Sequence, residues 1–251
     1  MLPELTPQEK NRYNRHLRIP EIGADGQRKL KAASALIVGV GGLGSPLALY
    51  MAAAGFGRIG LVDSDVVSLS NLQRQVLHGE SNLDELKVES ASRRLTDINS
   101  TVQLDLYPER FTAKNANQLA APYDLIMDGT DNLATRNVIN RTAVKLGKPY
   151  IYGGVFHFDG QMSVFDAHRG PCYHCLFAEA PQNNENAEPL GVFSALPGVV
   201  ATLQVTEAVK VVLGIGEPMI GKLLLFDGLA MNFQTIHFDK KPSCPVCGSQ
   251  S

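Results

Sequence analysis

The run SALIVGVGGLGSPLALYMAAAGFGRIGLVDSD, beginning at Ser34, allows few backbone arrangements. Ala35 to Val38 is a short apolar strand, Ser45 to Ala54 an apolar helix, and Arg58 to Val62 a second strand ending at Asp63. Gly39, Gly41 and Gly44 form G-x-G-x-x-G at the strand-to-helix junction, so the segment reads as a βαβ unit. Glycines let the backbone approach a phosphate closely. The helix start adds unpaired N–H groups at the positive end of its dipole. Asp63 lies roughly 20 residues past the turn, where an acid accepts ribose hydroxyls. By itself the unit says nucleotide and does not separate a dinucleotide from ATP.

The remaining sequence keeps alternating. Residues 5–32 are expected to be helical, with Thr6 and Glu9 as a capping box. Further helices are expected at Lys87 to Leu95, Ala113 to Leu119 and Leu133 to Leu146, with strands at Val102 to Tyr107, Tyr123 to Met127 and Pro149 to Tyr152. After Gly154 the pattern becomes strand-rich. FDGQMSVFD reads as a strand, Gly198 to Leu213 as a long apolar helix, and KLLLFDGLAMNFQTIHF as a terminal hairpin. The expected fold class is α/β: a Rossmann-like doubly wound, mostly parallel sheet continuing into antiparallel strands. No linker, repeat or low-complexity tract divides the 251 residues, so one domain is expected over 1–251. It comprises an N-terminal helical segment (1–32), a nucleotide-binding half (33–154) and a second half (155–251).

A net charge of −2 with no basic run weighs against a protein that coats nucleic acid. No run of 18 or more apolar residues occurs and the N-terminus has no signal-peptide core, so no membrane span and a cytoplasmic location are expected. The four cysteines form two C-x-x-C pairs, Cys172/Cys175 and Cys244/Cys247. A disulfide scaffold belongs to short secreted chains. Two C-x-x-C pairs brought together by folding make a tetrahedral thiolate site for structural Zn2+. Two unrelated reduced pairs, or a redox pair, are the alternatives. In PSCPVCG, Pro and Gly supply the tight turn of a zinc knuckle. His174 lies inside the first pair and is expected to point away from the metal, while Tyr173 and Phe177 are expected to pack around it.

Three segments bear on which nucleotide is bound. In SLSNLQRQVLH, Asn71, Arg74 and Gln75 fall on one face of a helical turn. A triphosphate carries about four negative charges and needs cations, and Arg74 can fork onto its oxygens. Lys87 opens a helix after Asp84 and Glu85. In DGTDNLATR, Asp128 and Asp131 stand at the C-terminal end of a parallel strand, where open sheets place ligands. Carboxylates there suit a Mg2+ bridging phosphates. They equally suit a strand end at Asp128 and a helix cap at Asp131.

Taken together, G-x-G-G-L-G, Asp63, S-L-S-N-L-Q-R-Q, Lys87, T-D-N-x-x-T-R and the paired C-x-x-C motifs resemble the ThiF/MoeB/HesA adenylyltransferases, relatives of ubiquitin-activating enzymes. The likeness runs from RYNRHL to CPVCG. RYNR, SLSNLQRQ and KVESA look closest to the molybdopterin-synthase adenylyltransferase branch, with the thiamine branch the near alternative. The resemblance implies ATP and Mg2+ at the glycine turn. Gly42 would match a backbone contact to phosphate and Asp63 the ribose acid. Asn71, Arg74 and Lys87 would match the polar and cationic groups around the triphosphate, and Asp131 the Mg2+-linked aspartate. Asp65, Gln75 and Asn132 join the nucleotide-contacting set. Arg15 would match an arginine inserted by the partner subunit of a homodimer, and the four cysteines a structural zinc site. The implied substrate is the C-terminal carboxylate of a ubiquitin-like sulfur-carrier protein ending in Gly-Gly, held by the second half of the chain under a crossover loop at about 178–191. That carboxylate would attack the α-phosphate of ATP, and Arg15, Arg74, Lys87 and Asp131 are the catalytic candidates.

Some relatives carry a cysteine in that loop. Here NNENAEPLG holds Asn186, Ala187 and Glu188 at the nearest positions. With zinc taking all four cysteines, no thiol is left for a thioester. An adenylation-only enzyme is expected, with sulfur delivered by a separate persulfide-bearing protein, because no sulfurtransferase domain follows the second cysteine pair. Rival readings are an NAD-dependent oxidoreductase, an ATP-dependent tRNA dehydratase of the same family, and a non-catalytic carrier-docking dimer.

Overall fold

The computed structural model describes residues 2–177 and 191–248. Asn186, Ala187, Glu188 and the expected crossover loop, apart from Gly191, lie outside the described residues.

Strand β1 (Ser34–Val38) is buried along its whole length. Its side chains alternate between two cores. Ala35 and Ile37 join the packing of helices α4 (Gly44–Ala54), α5 (Lys87–Ile98) and α9 (Leu196–Leu213). Leu36 and Val38 face α6 (Ala116–Ala120) and α7 (Leu133–Leu146). A strand apolar on both faces can only be central in a sheet with helices on both sides.

The sheet order is β3-β2-β1-β4-β5-β6-β7-β8. Strands β2 (Arg58–Val62), β3 (Gln103–Tyr107), β4 (Leu125–Asp128) and the start of β5 (Tyr150–Phe156) pair in parallel around β1. Strands β6 (Asp159–Phe165), β7 (Lys222–Asp227) and β8 (Asn232–His237) continue antiparallel. The expected doubly wound sheet with an antiparallel extension is therefore the fold.

Two expected elements differ. The helix expected over 5–32 is three pieces: α1 (Pro7–Arg12), α2 (Asn14–Leu17) and α3 (Gly23–Ala32). Pro20, which cannot donate a helical N–H, lies in the second break. The Thr6–Glu9 capping box that starts α1 is present in both directions. Strand β5 runs past Gly153 and Gly154 because β6 pairs with it along its full length.

Helix α9 is long and apolar enough to cross a membrane by composition, with mean hydropathy 1.4, yet half of it is buried inside the protein. Its Gln204 is fully buried and donates from Nε2 to the carbonyls of Asp128 (3.0 Å) and Ile151 (3.1 Å), tying β4 to β5. These contacts are those of a core helix.

The chain reverses its winding between β1 and β4, where Val38 pairs with Asp128. The turns that follow meet backbone to backbone. Gly129 N–H donates to Val38 O at 2.8 Å. A Cβ on Gly39, whose φ is +89°, would stand 2.7 Å from Gly129 O, and one on Gly129 would overlap Gly39 O. Gly129→Val is expected to lower stability by about 3 kcal/mol, read as a fall in the urea midpoint, because neither backbone can yield without breaking the pairing.

Candidate active site at the sheet switch point

At the switch point, β1 leads to α4 on one face and β4 to α7 on the other, opening a crevice at the carboxyl edge. A Cβ on Gly44 would overlap Gly39 O, so Gly39 and Gly44 are dictated by the protein's own backbone. Gly41 and Gly42 are not. A Cβ at Gly41 would meet only Gln75 Nε2 at 3.6 Å. One at Gly42 would meet Arg74 Cγ and Cδ and Pro197 Cγ, all at 3.5 Å, an ordinary contact. Their bareness opens the turn to an outside group. No side chain caps α4; Ser45 N–H already donates to Gly41 O and Pro46 has no N–H, so the N–H groups left for an anion are those of Gly42, Leu43 and Gly44.

Around this turn the polar groups are ordered. Asp63 Oδ2 accepts from Val40 N–H at 2.7 Å and Oδ1 from Asp65 N–H at 2.9 Å, which holds the carboxylate at the end of β2. Lys87, 5% exposed at the start of α5, pairs with Asp65 Oδ2 at 3.0 Å. Asn71 closes a 3₁₀ turn (Leu69–Asn71) by accepting from Ser68 N–H. Arg74 lays its stem over Gly42 and donates to Ser70 O. Gln75 is buried, its Nε2 near Gly41 and its Oε1 without a partner among the described residues.

His78 was given no role from sequence, yet it braces this turn. It is buried, with Nε2 3.2 Å from Val40 O and Nδ1 2.9 Å from Ser90 Oγ. Burial pushes its pKa below the ordinary 6.5, and the charge of Lys87 acts in the same direction, against the Val40 carbonyl and Asp63. A carbonyl can only accept, so the neutral ring carries its proton on Nε2 and accepts from Ser90 at Nδ1. The Val40 peptide is thereby held at both ends. A single histidine in a turn has no sequence signal that separates this use from simple packing.

The two aspartates of DGTDN have different fates. Asp128 is fully buried. Its Oδ1 accepts from Thr130 N–H (2.9 Å) and Oγ–H (2.7 Å), and its Oδ2 accepts from Tyr150 O–H (2.6 Å) and lies 3.3 Å from Arg136 Nε. Its carboxylate is committed to the interior. Arg136, the last residue of T-D-N-x-x-T-R, also donates to the carbonyls of Thr130 and Gly153 and lies over the Tyr152 ring. Asp131 is exposed and forms no hydrogen bond or ion pair among the described residues. It is not the helix cap. Asn132 caps α7 by accepting from Thr135 N–H at 2.9 Å. Asp131 thus keeps its oxygens unbonded among the described residues, while Asn132 spends its Oδ1 on the helix.

Arg15 is not brought to this crevice. Tyr13 lies against Gly55 at the C-terminal end of α4, within 2.6 Å of where a Cβ would be. The 11 residues of α4 span roughly 16 Å, so α2 and its exposed Arg15 stand at the far end of that helix.

The two cysteine pairs do meet. All four Sγ atoms lie within 4.8 Å of one another. The recorded separations are 3.7 Å (Cys172–Cys244), 4.0 Å (Cys172–Cys175) and 3.5 Å (Cys175–Cys247). These are too long for disulfides. A tetrahedral ZnS₄ unit with 2.3 Å bonds has S···S edges of about 3.8 Å, so the donor set fits Zn2+. The second pair sits in a tight turn, where a Cβ on Gly248 would collide with the Pro242 and Cys244 carbonyls. The first pair instead starts the one-turn helix α8 (Tyr173–Leu176). Burial opposes ionisation of Cys244, but N–H groups of Cys247 and Val246 bring it down to about 7. Burial and the adjacent Cys172 and Cys175 sulfurs push Cys247 well up. No histidine belongs to the converging group. Tyr173 and Phe177 pack with Tyr152 in the core that faces α6 and α7, while the apolar side chains packed on the thiols are Val144, Ala167 and Val246.

Residues 13–246 match the ThiF family. The chain belongs to the ThiF family. It is 44% identical over 252 residues to the sulfur carrier protein adenylyltransferase of Thermus thermophilus, covering 98% of this chain and 93% of that one. It is 44% identical over 249 residues to the adenylyltransferase and sulfurtransferase of Mus musculus, where it spans 98% of this chain but 54% of the longer one. Among solved structures, E. coli MccB with ATP superposes with a TM-score of 0.85 at 25% identity, over 95% of this chain and 74% of that one. These matches agree with the family resemblance carried by the glycine turn and the cysteine pairs.

Two outcomes follow for this ThiF-family chain. Because folded His78 titrates below 6.5, the unfolded chain binds more protons as pH falls below that value, so stability drops there. His78→Gln is expected to flatten the part of the stability–pH curve just below pH 6.5 in urea melts. A metal held by all four thiols would cross-link the two pairs, and on that account Cys244→Ser, or a strong chelator, is expected to lower the Tm by about 5–10 °C.

Proposed function

We propose that this chain uses ATP to adenylate the C-terminal glycine carboxylate of a small ubiquitin-like sulfur-carrier protein, releasing pyrophosphate for sulfur transfer in molybdopterin or thiamine biosynthesis. The observation that carries the reading is the bare Gly41–Gly42 turn under Arg74, beside an uncapped helix start. Near-complete coverage of a named sulfur carrier protein adenylyltransferase supports it.

The residues take roles as follows. Asp63, fixed by Val40 and Asp65, presents a carboxylate for ribose hydroxyls. The glycine turn leading into α4 takes phosphate oxygens on the N–H groups of Gly42, Leu43 and Gly44. Arg74 and Lys87 neutralise charge that builds on the α-phosphate and the departing pyrophosphate. For Lys87 this means exchanging Asp65, 62% exposed at its side chain, for phosphate. Asn71 and Gln75 line the same wall. Asp131, whose oxygens have no partner among the described residues, would hold Mg2+, which would supply charge neutralisation there, and Asn132, whose Oδ1 caps α7, would contact the nucleotide. The attacking carboxylate is already ionised near pH 7, so no general base is needed. Arg15 would act on the site of a partner subunit in a homodimer, since it is remote from its own. Zn2+ on Cys172, Cys175, Cys244 and Cys247 would supply a structural cross-link.

On this reading residues 33–154 bind the nucleotide and 155–251 the carrier. All four cysteines of the sequence are in the thiol cluster, so the sulfur would come from a persulfide outside these residues. An NAD-dependent oxidoreductase would leave Arg74, Lys87 and Asp131 without roles.

The test is pyrophosphate release with ATP, Mg2+ and a panel of carriers ending in Gly-Gly. Release is expected with at least one carrier, and Lys87→Ala or Arg74→Ala should lower kcat by about 10²–10³-fold with the fold intact. No release from folded protein with any carrier would overturn the reading.

A further inference from the structure

Asn140 sits in the middle of α7, one turn beyond Arg136, and is 2% exposed. Asparagine is a poor choice for a helix interior, and a buried amide is costly unless both of its ends are bonded. Its neighbours on α7 that face the core, Ile139 and Ala143, are apolar. The amide of Asn140 is aimed at the first cysteine pair. Nδ2–H donates to Cys172 Sγ at 3.7 Å, and Oδ1 accepts from Tyr173 N–H at 3.0 Å. One side chain thus grips both a sulfur of the cluster and the backbone of the turn that carries it. Arg136 and Asn140 are four residues apart and share a helix face. The same helix therefore holds Asp128 at the switch point and Cys172 at the thiol cluster.

We propose that Asn140 is an outer-shell residue of the four-cysteine metal site, which fixes the Cys172 sulfur in its bonding position and ties the metal to α7. The proposal rests on the reading of the four thiols as a Zn2+ site. A hydrogen-bond donor to a thiolate holds the sulfur's orientation and draws electron density from it, and loss of such a partner typically costs roughly 10–100-fold in metal affinity.

The experiment is Zn2+ competition against a chromophoric chelator on the full chain, with neither ATP nor carrier present. Asn140→Ala removes both contacts. Asn140→Asp keeps an acceptor for Tyr173 N–H, removes the donor to sulfur and sets a carboxylate beside it. Both are expected to weaken Zn2+ binding roughly 10–100-fold. In the Co2+-substituted protein, both should move the sulfur-to-metal charge-transfer band to longer wavelength, because a sulfur without its donor holds its electrons less tightly. Val144→Ala, which trims an apolar side chain packed on the same thiols, should leave the band in place. Wild-type affinity and an unmoved band in Asn140→Asp overturn the proposal. If Asn140→Ala does not fold, Asn140→Asp alone carries the test. Wild-type protein that retains no stoichiometric metal removes the zinc reading itself, a separate result from unchanged variants of a metal-loaded chain.

Discussion

The contact between the turns after β1 and β4 governs this molecule. Gly129 N–H is bonded to Val38 O, and the backbones at Gly39 and Gly129 touch where any side chain would separate them. That closeness lets β4 pair with β1 up to Asp128 while the chain leaves in opposite directions, to α4 on one face and α7 on the other. The opening at the carboxyl edge and the bare face of Gly41 and Gly42 both follow from two strands diverging over a glycine contact.

Charge at the site is sorted by burial. Asp128 and Arg136 form an interior pair whose remaining atoms meet Thr130, Tyr150 and backbone carbonyls. Such a pair is costly to break because it leaves a charge without a partner. Lys87 and Asp65 form the opposite kind of pair: the lysine is buried and the aspartate exposed. Screening by water makes the aspartate the replaceable partner. A polyanion entering the crevice therefore meets a preplaced ammonium group held by a contact it can displace.

Much of this was legible in the sequence. The boundaries of β2 and α7, the glycine turn, the terminal hairpin and the meeting of both C-x-x-C pairs came from short-range rules: apolar periodicity, turn residues and ligand spacing. What those rules missed depended on distant partners. The Pro20 break hid inside a helical pattern, and β5 ran through Gly153–Gly154 because β6 supplied its ladder. Both aspartates of DGTDN looked alike. Only the arrival of Tyr150 and Arg136 made one a structural group, and only the cap at Asn132 left the other free. Arg136 stood in a noted motif without a role, and His78 and Asn140 carried no local signal because their partners come from other elements.

The sequence alone determined the layered α/β plan, the nucleotide-type turn and two C-x-x-C pairs at the spacing a four-thiolate site needs. These are written in residue types whose chemistry is nearly independent of neighbours: glycine where backbones meet, apolar strands that need helices on both faces, and thiols at metal spacing. Tertiary structure decided which groups remain available. Bringing β4 beside β1 consumed Asp128 and spared Asp131, burial made His78 a neutral brace, and α7 joined the thiols to the switch point through Asn140. A side chain's availability depends on what else has bonded to it, and those partners lie far away along the chain.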